Sequence, residues 1–84
     1  MITFKHVKIE TSPSKRGGRR VGMGVTAYVK WRDIRYQYGA GEELIGNCEL
    51  TLEPRGIALF TPEQATEVAA YLREVNPGAK VTIF

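Results

Sequence analysis

The sequence predicts an α+β fold, in which an antiparallel β-sheet of five to six strands carries one helix on one face, in the order β-β-β-β-β-α-β. Two observations predict it. Apolar and polar residues alternate through most of the chain, which is typical of half-buried strands, and one capped segment near the C-terminal end has helical periodicity. A single helix across one face of such a sheet buries both apolar surfaces.

The first strand is expected near the beginning of the chain. Ile2 and Phe4 share one side of an extended segment, whereas Val7 and Ile9 share the other, so a β-bulge or bend is predicted between the two pairs. Residues 11–20 are polar, glycine-rich and strongly basic. They predict an exposed, mobile loop.

A hairpin is predicted in the middle of the first half. Between Val21 and Trp31 every odd position is apolar, which indicates a half-buried strand. The alternation resumes from Ile34 to Tyr38, after Arg32-Asp33, and a two-residue turn there would set Trp31 opposite Ile34. The outward face of this hairpin would then carry Tyr28, Lys30, Arg35 and Gln37, with Arg32 at the tip.

A further strand and its return are predicted in the second half. Cys48, Leu50 and Leu52 alternate with polar residues, which places all three on one strand face. Residues 54–57 include a proline and a glycine, as tight turns do. Residues 57–60 are therefore expected to return antiparallel to the strand before them.

One helix is predicted, beginning at Thr61. Thr61 supplies a cap, Pro62 suits the first helical position, and Gln64 can reach back to the cap. Asn76-Pro77-Gly78 ends the helix, and residues 80–84 are apolar and β-branched enough for a last strand. The apolar stripe of the helix consists of Ala65, Val68, Ala69, Leu72 and Val75.

Length and composition predict one cytoplasmic domain spanning residues 1–84. The chain is 43% hydrophobic and 25% charged, as globular domains are, and 84 residues suffice for one core. No apolar run reaches the roughly 20 residues that a membrane helix needs, and the first residues lack a signal-peptide pattern. The single cysteine, Cys48, fits a reducing compartment.

Catalytic and metal sites are not predicted. His6 is the only histidine, and no acidic or hydroxyl residue is spaced to orient it as a general base. Cys48 shares a strand face with two leucines and is expected to be a small buried side chain. We therefore expect no enzyme, metal or cofactor, and any role of His6 or Cys48 beyond structure stays open.

Charge is divided unevenly between the two halves of the chain. Positions 1–40 hold nine of the twelve basic residues and two acidic ones, a formal net charge of +7, whereas positions 41–84 carry −4. Such asymmetry is typical of chains that bind a charged partner. Nucleic acid, another protein and a second copy of the chain are the candidates.

The basic loop and the outward hairpin face together predict binding. Lysine and arginine neutralise phosphates, and a tyrosine among them can stack on an unpaired base. These residues predict a small non-catalytic module that binds single-stranded DNA or RNA with low sequence specificity. The candidate residues are Lys15, Arg16, Arg19, Arg20, Tyr28, Lys30, Arg32, Arg35 and Gln37.

Other interpretations of the same residues stay open. A basic surface also suits a small accessory or inhibitor protein, of the kind that phages and mobile elements encode, which would bind an acidic or nucleic-acid-binding host protein. The basic half could pair with the acidic half of a neighbouring copy to give a homodimer. Exposed lysine and arginine also simply keep a sheet face soluble.

Residues 54–64 carry a resemblance to a known family. Gly56-Ile57-Ala58-Leu59, followed by Pro62-Glu63-Gln64, resembles the last strand and capped dimerisation helix of the single-stranded-DNA-binding transcriptional coactivator family called positive cofactor four. One extra residue separates the two pieces, and Ala65 stands where that family commonly has tryptophan. The resemblance implies a dimer that binds single-stranded DNA on its sheet.

Overall fold

The computed structural model describes residues 3–11, 14–16, 19–21, 24–36 and 39–84. Their order confirms the α+β class. The elements are β1 (Val7–Glu10), β2 (Ser14–Arg16), β3 (Arg19–Val21), β4 (Thr26–Trp31), a 3₁₀ turn (Ile34–Tyr36), α1 (Gly41–Gly46), β5 (Cys48–Thr51), α2 (Pro62–Val75) and β6 (Lys80–Ile83).

Among the described residues, the main sheet is antiparallel and has four strands in the order β5-β4-β1-β6. The prediction of five to six strands in this sheet is wrong, and so is the predicted element order. In the described part of the chain two helices rather than the one predicted accompany the sheet, because Gly41–Gly46, before β5, forms α1. β2 and β3 pair separately as a two-stranded sheet.

The core lies between the sheet and α2. Val7 and Ile9 of β1, Val29 of β4 and Val81 of β6 are buried on one sheet face, as strand alternation requires. The helix buries Ala65, Val68, Ala69 and Leu72 against them, whereas Val75, also predicted on this stripe, is exposed. Leu44 of α1 and Phe60 complete the same core.

The start of α2 follows the predicted capping chemistry. The hydroxyl of Thr61 accepts a hydrogen bond from the Gln64 backbone N–H at 3.2 Å, and the Gln64 side-chain oxygen accepts one from the Thr61 N–H at 3.1 Å. These two bonds satisfy amides that a helix start leaves unpaired. The helix ends before Asn76, and Gly78 adopts a φ of 86°, which glycine tolerates.

The predicted hairpin of residues 21–38 is wrong. β4 ends at Trp31, a 3₁₀ turn follows, and the neighbour of β4 is β5. The Asp33 carboxylate accepts the backbone N–H of Arg35 at 3.0 Å, a side-chain-capped turn that does not return the chain along β4. In the observed register Lys30 faces Glu49, whereas the predicted one would have opposed Lys30 to Arg35, a pair of like charges.

The predicted return strand of residues 57–60 is also wrong. β1 and β4 pair only between Lys8↔Tyr28 and Glu10↔Thr26. Past the Lys8↔Tyr28 pair, residues 58–60 form hydrogen bonds with β4 and with the segment that precedes β1. The Ala58 N–H donates to Val29 O at 2.9 Å. Phe60 and Lys5 exchange backbone hydrogen bonds of 2.7 and 2.8 Å. Residues 58–60 thus lie between the segment before β1 and the end of β4, in a gap here called the fork. The bend was predicted at the same place.

The connection from β1 to β4 contains β2 and β3, where the sequence predicted a loop at 11–20. Thr11 and Val25 close the base of this connection: the Thr11 N–H donates to Val25 O at 3.0 Å, and the Val25 N–H donates to the Thr11 hydroxyl at 3.1 Å. Ser14 of β2 pairs with Val21 of β3, and Arg16 pairs with Arg19. The mobility of this segment stays a prediction.

Candidate nucleic-acid interface

The sheet face opposite α2, here called the outer face, carries aromatic and charged side chains. Cross-strand partners share a face, so the register of the four strands defines this set. Both described helices bury their apolar residues on the other face. The outer face consists of His6, Lys8 and Glu10, then Thr26, Tyr28 and Lys30, then Glu49 and Thr51, and finally Lys80, Thr82 and Phe84.

Three rings and one ammonium group lie close together on the outer face. The Phe84 ring centroid lies 6.4 Å from that of Tyr28, edge to face, and 5.4 Å from that of His6. Lys8 Nζ lies 5.3 Å from the Phe84 centroid, within cation–π range. Phe84 remains 44% exposed, so its ring is accessible to a ligand.

His6 fixes the position of this cluster. Its backbone exchanges hydrogen bonds of 2.6 and 2.9 Å with Phe84. Its ring Nδ1 lies 2.9 Å from Ala58 O, and because a carbonyl oxygen only accepts, Nδ1 carries the proton. His6 therefore joins β1, the end of β6 and the segment in the fork, which is a structural role.

Lys8 and Lys30 on the outer face, and Arg32 just after β4, have acidic neighbours. Lys30 Nζ lies 3.1 Å from Glu49, Arg32 Nε lies 3.9 Å from the same carboxylate, and Lys8 Nζ lies 3.5 Å from Glu10. All these side chains are partly exposed, and exposed ion pairs contribute about 0–1 kcal/mol. A phosphate can therefore compete for these cations, but the face has no large positive surplus of its own.

Arg35 does not join the predicted site. It follows β4 in the 3₁₀ turn and forms a bidentate pair with Asp33, in which Nη2 donates to Oδ2 at 2.7 Å and Nε donates to Oδ1 at 3.1 Å. Hydrogen bonds from Arg35 hold the pKa of Asp33 below its ordinary value, and Asp33 in turn raises the pKa of Arg35. The placement of Arg35 opposite Lys30 is thus wrong, while Gln37 lies outside the described residues.

The four basic residues of the β2–β3 hairpin stand in two cross-strand pairs. The backbone register sets Lys15 opposite Arg20 and Arg16 opposite Arg19.

The structure thus places Tyr28 and Lys30 on one sheet face, with Lys30 and Arg32 both near Glu49, and leaves the four basic residues of β2 and β3 in a separate two-stranded sheet. Sequence reasoning missed Lys8 and Phe84 as members of the candidate site. Period-two alternation alone would have put Phe84 on one side of the last strand with Thr82. Only the pairing of β6 with β1 brings it beside Tyr28.

Cys48 is unsuited to nucleophilic chemistry. Its thiol donates a hydrogen bond to Leu44 O at 3.2 Å, and burial raises its pKa to about 11. A thiol with a raised pKa is a poor nucleophile at neutral pH.

Among the described residues, no three His, Cys, Asp or Glu side chains cluster as metal ligands would, and no helix has the length and apolarity to cross a membrane.

Comparisons of the chain with protein-family models, curated proteins and solved structures give no match. The resemblance of residues 54–64 to positive cofactor four stays a prediction.

Proposed function

We propose that this protein is a non-catalytic module that binds single-stranded nucleic acid, DNA or RNA, with low sequence specificity. The observation that carries the proposal is the cluster on the outer face that Phe84, which is exposed, forms with the half-buried Tyr28 and Lys8. Bases stack on such rings with about 1–3 kcal/mol each. Because every base has a π-face, stacking tolerates any sequence.

The β2–β3 hairpin supports the proposal with charge. β1 leads into this hairpin and β4 follows it, so Lys15, Arg16, Arg19 and Arg20 belong to the connection between the two strands that carry Lys8 and Tyr28. The outer face contributes rings but little net charge. A division of labour follows, in which the hairpin neutralises phosphates and the outer face stacks bases.

The test is binding of short single-stranded and double-stranded oligonucleotides to ring-deleted variants. Tyr28→Leu and Phe84→Leu remove a ring but keep an apolar side chain, and each should weaken single-strand binding by about 5- to 100-fold, as the loss of one stacked base does. Fluorescence anisotropy at one fixed salt concentration measures the change.

Tyr28→Phe is the matched control, since it keeps the ring and should bind within about twofold of wild type. Circular dichroism and a thermal melt check that each variant is folded. Wild-type affinity in both leucine variants would exclude the outer face as the binding site. If wild type binds no oligonucleotide, and a protein partner is captured from nuclease-treated host lysate, the function is that of a protein-binding accessory or inhibitor instead.

A further inference from the structure

The two edges of the four-stranded sheet differ in how they are covered. At the β6 edge, the Arg73 guanidinium on α2 donates a hydrogen bond to Val81 O at 3.2 Å, which occupies a main-chain acceptor that another strand would use. At the β5 edge, β4 is the one strand neighbour among the described residues. β5 contains no proline or lysine, the residues that commonly block an edge.

The main-chain groups that β5 turns outward follow from its pairing. The Arg32 N–H donates to Asn47 O, and in an antiparallel pair every second residue bonds to the same neighbour. Glu49 and Thr51 are therefore in step with Asn47 and face β4. Cys48 and Leu50 direct their N–H and C=O groups to the open edge.

Apolar side chains border this edge on the inner side of the sheet. Leu50 is 49% exposed, Val75 of α2 is 51% exposed, and Leu52 just after β5 is 69% exposed. A groove of about 220 Å³ lies between β5 and α2, with Cys48, Leu50 and Val75 among its lining residues. An open strand edge beside an apolar groove is what strand addition requires.

We propose that the β5 edge pairs antiparallel with β5 of a second copy of this chain, about a two-fold axis at Leu50. In this register Leu50 faces Leu50 of the second copy, and Leu52 of each copy lies opposite Cys48 of the other, beside the groove. Glu49 then faces Thr51 of the second copy. The β5 edge with Cys48, Leu50 and Leu52 is thus complementary to the same edge of the second copy, as a two-fold interface requires.

Electrostatics selects this register over its neighbour. An axis at Glu49 uses the same outward N–H and C=O groups, but it opposes two Glu49 carboxylates across the new strand pair, which is destabilising. With the axis at Leu50 the carboxylate keeps Lys30 at 3.1 Å in its own chain and meets a hydroxyl across the interface. The inference does not depend on nucleic-acid binding.

The first test is sedimentation equilibrium of the full chain at concentrations from about 1 µM to 1 mM. Wild type should be dimeric within this range. Leu50→Lys should raise the dimer dissociation constant by at least about 100-fold, because two leucines leave the interface and two ammonium groups meet at the axis.

Leu59→Lys is the matched control, since Leu59 is 53% exposed and lies outside β5; it should dimerise like wild type. Unchanged circular dichroism shows that each variant is folded. Two results overturn the proposal: a wild-type protein that is monomeric throughout, or a Leu50→Lys variant that dimerises as tightly as Leu59→Lys.

Disulfide trapping tests the register. In a Cys48→Ser background, Leu50→Cys should crosslink to a covalent dimer under mild oxidation, because directly opposed bonded residues have Cα atoms about 5.5 Å apart. The wild-type Cys48 thiols would stand four positions apart along the strands, roughly 13 Å, and should not crosslink. Crosslinking of Glu49→Cys but not of Leu50→Cys would overturn the register.

Discussion

At the scale of single residues, His6 and Cys48 each donate a side-chain hydrogen bond to a backbone carbonyl oxygen. His6 donates from Nδ1 to Ala58 O and packs against Phe84, and Cys48 donates to Leu44 O. Each bond joins segments that are distant in the chain or in different elements. The single histidine and single cysteine are thus explained by packing without invoking chemistry.

Cys48 should be slow to react in the folded protein. Burial raises its pKa from 9.0 to about 11, so at pH 8 the thiolate fraction is about 100-fold lower than in the unfolded chain. Alkylation by iodoacetamide at pH 8 should be slower by roughly that factor in buffer than in denaturant. Equal rates in the two solvents would show that the thiol is not buried.

The same pKa shift makes stability depend on pH. The folded pKa lies above the unfolded one, so the unfolded chain loses the thiol proton first as the pH rises. The contribution of Cys48 to stability is therefore present below pH 9.0 and is lost progressively towards pH about 11. When the pH is raised from 8 to 10, the urea concentration at the midpoint of unfolding should fall more for wild type than for Cys48→Ala.

At the scale of elements, nearby residues determine where α2 forms, but they do not determine which strand pairs with β4. The cap and apolar stripe of the helix lie within its own residues, and nothing distant competes for them. β4 could pair on its β5 side with any suitably alternating segment, and its actual partner there follows it by sixteen residues, after a 3₁₀ turn and α1. The Lys30↔Glu49 register shows how charge across strands helps to choose.

Removing the helix cap should destabilise the fold measurably. Thr61→Ala deletes the acceptor for the Gln64 N–H, which should lower the free energy of unfolding by about 1 kcal/mol. Thr66→Ala is the control: Thr66 is exposed within the helix and bonds back to Pro62 O, and alanine there should be neutral or stabilising. Urea denaturation followed by circular dichroism measures both, and equal loss in the two variants would contradict the cap.

At the scale of the whole molecule, the surplus of basic residues and the ring cluster of Tyr28 and Phe84 belong to different elements. On the outer face, Lys8 pairs with Glu10 and Lys30 pairs with Glu49, and Lys80 is the third lysine of that face. The β2–β3 hairpin places four cations in opposed pairs. If the proposed function holds, charge and stacking should be separable by mutation, because affinity has an electrostatic part that depends on salt and a stacking part that does not.

A salt series should separate the two parts. About four phosphate contacts to a single strand predict a slope of log K against log salt of roughly −3 for wild type. Replacing Lys15, Arg16, Arg19 and Arg20 together with glutamine should bring that slope close to zero. Phe84→Leu should lower affinity while leaving the slope at its wild-type value. A wild-type slope near zero would refute phosphate binding.

The sequence by itself determined the properties that depend on neighbouring residues. Strand alternation assigned Val7, Ile9 and Val29 to the core and Tyr28 and Lys30 to the opposite face. Capping chemistry placed the start of α2 at Pro62. An alternation of period two, or a capping hydrogen bond between residues three positions apart, involves only a short stretch of chain. Both can therefore be predicted without knowledge of the tertiary structure.

Only the tertiary structure decided which distant segments meet. The choice of β5 as partner of β4, the fork that residues 58–60 occupy, and the arrival of Phe84 beside Tyr28 all join residues far apart in the chain. Several alternating segments could satisfy the same strand edge, and burial, charge and turn geometry choose among them together. The binding face proposed here exists because of that choice: its charges are local to the sequence, and its ring cluster is not.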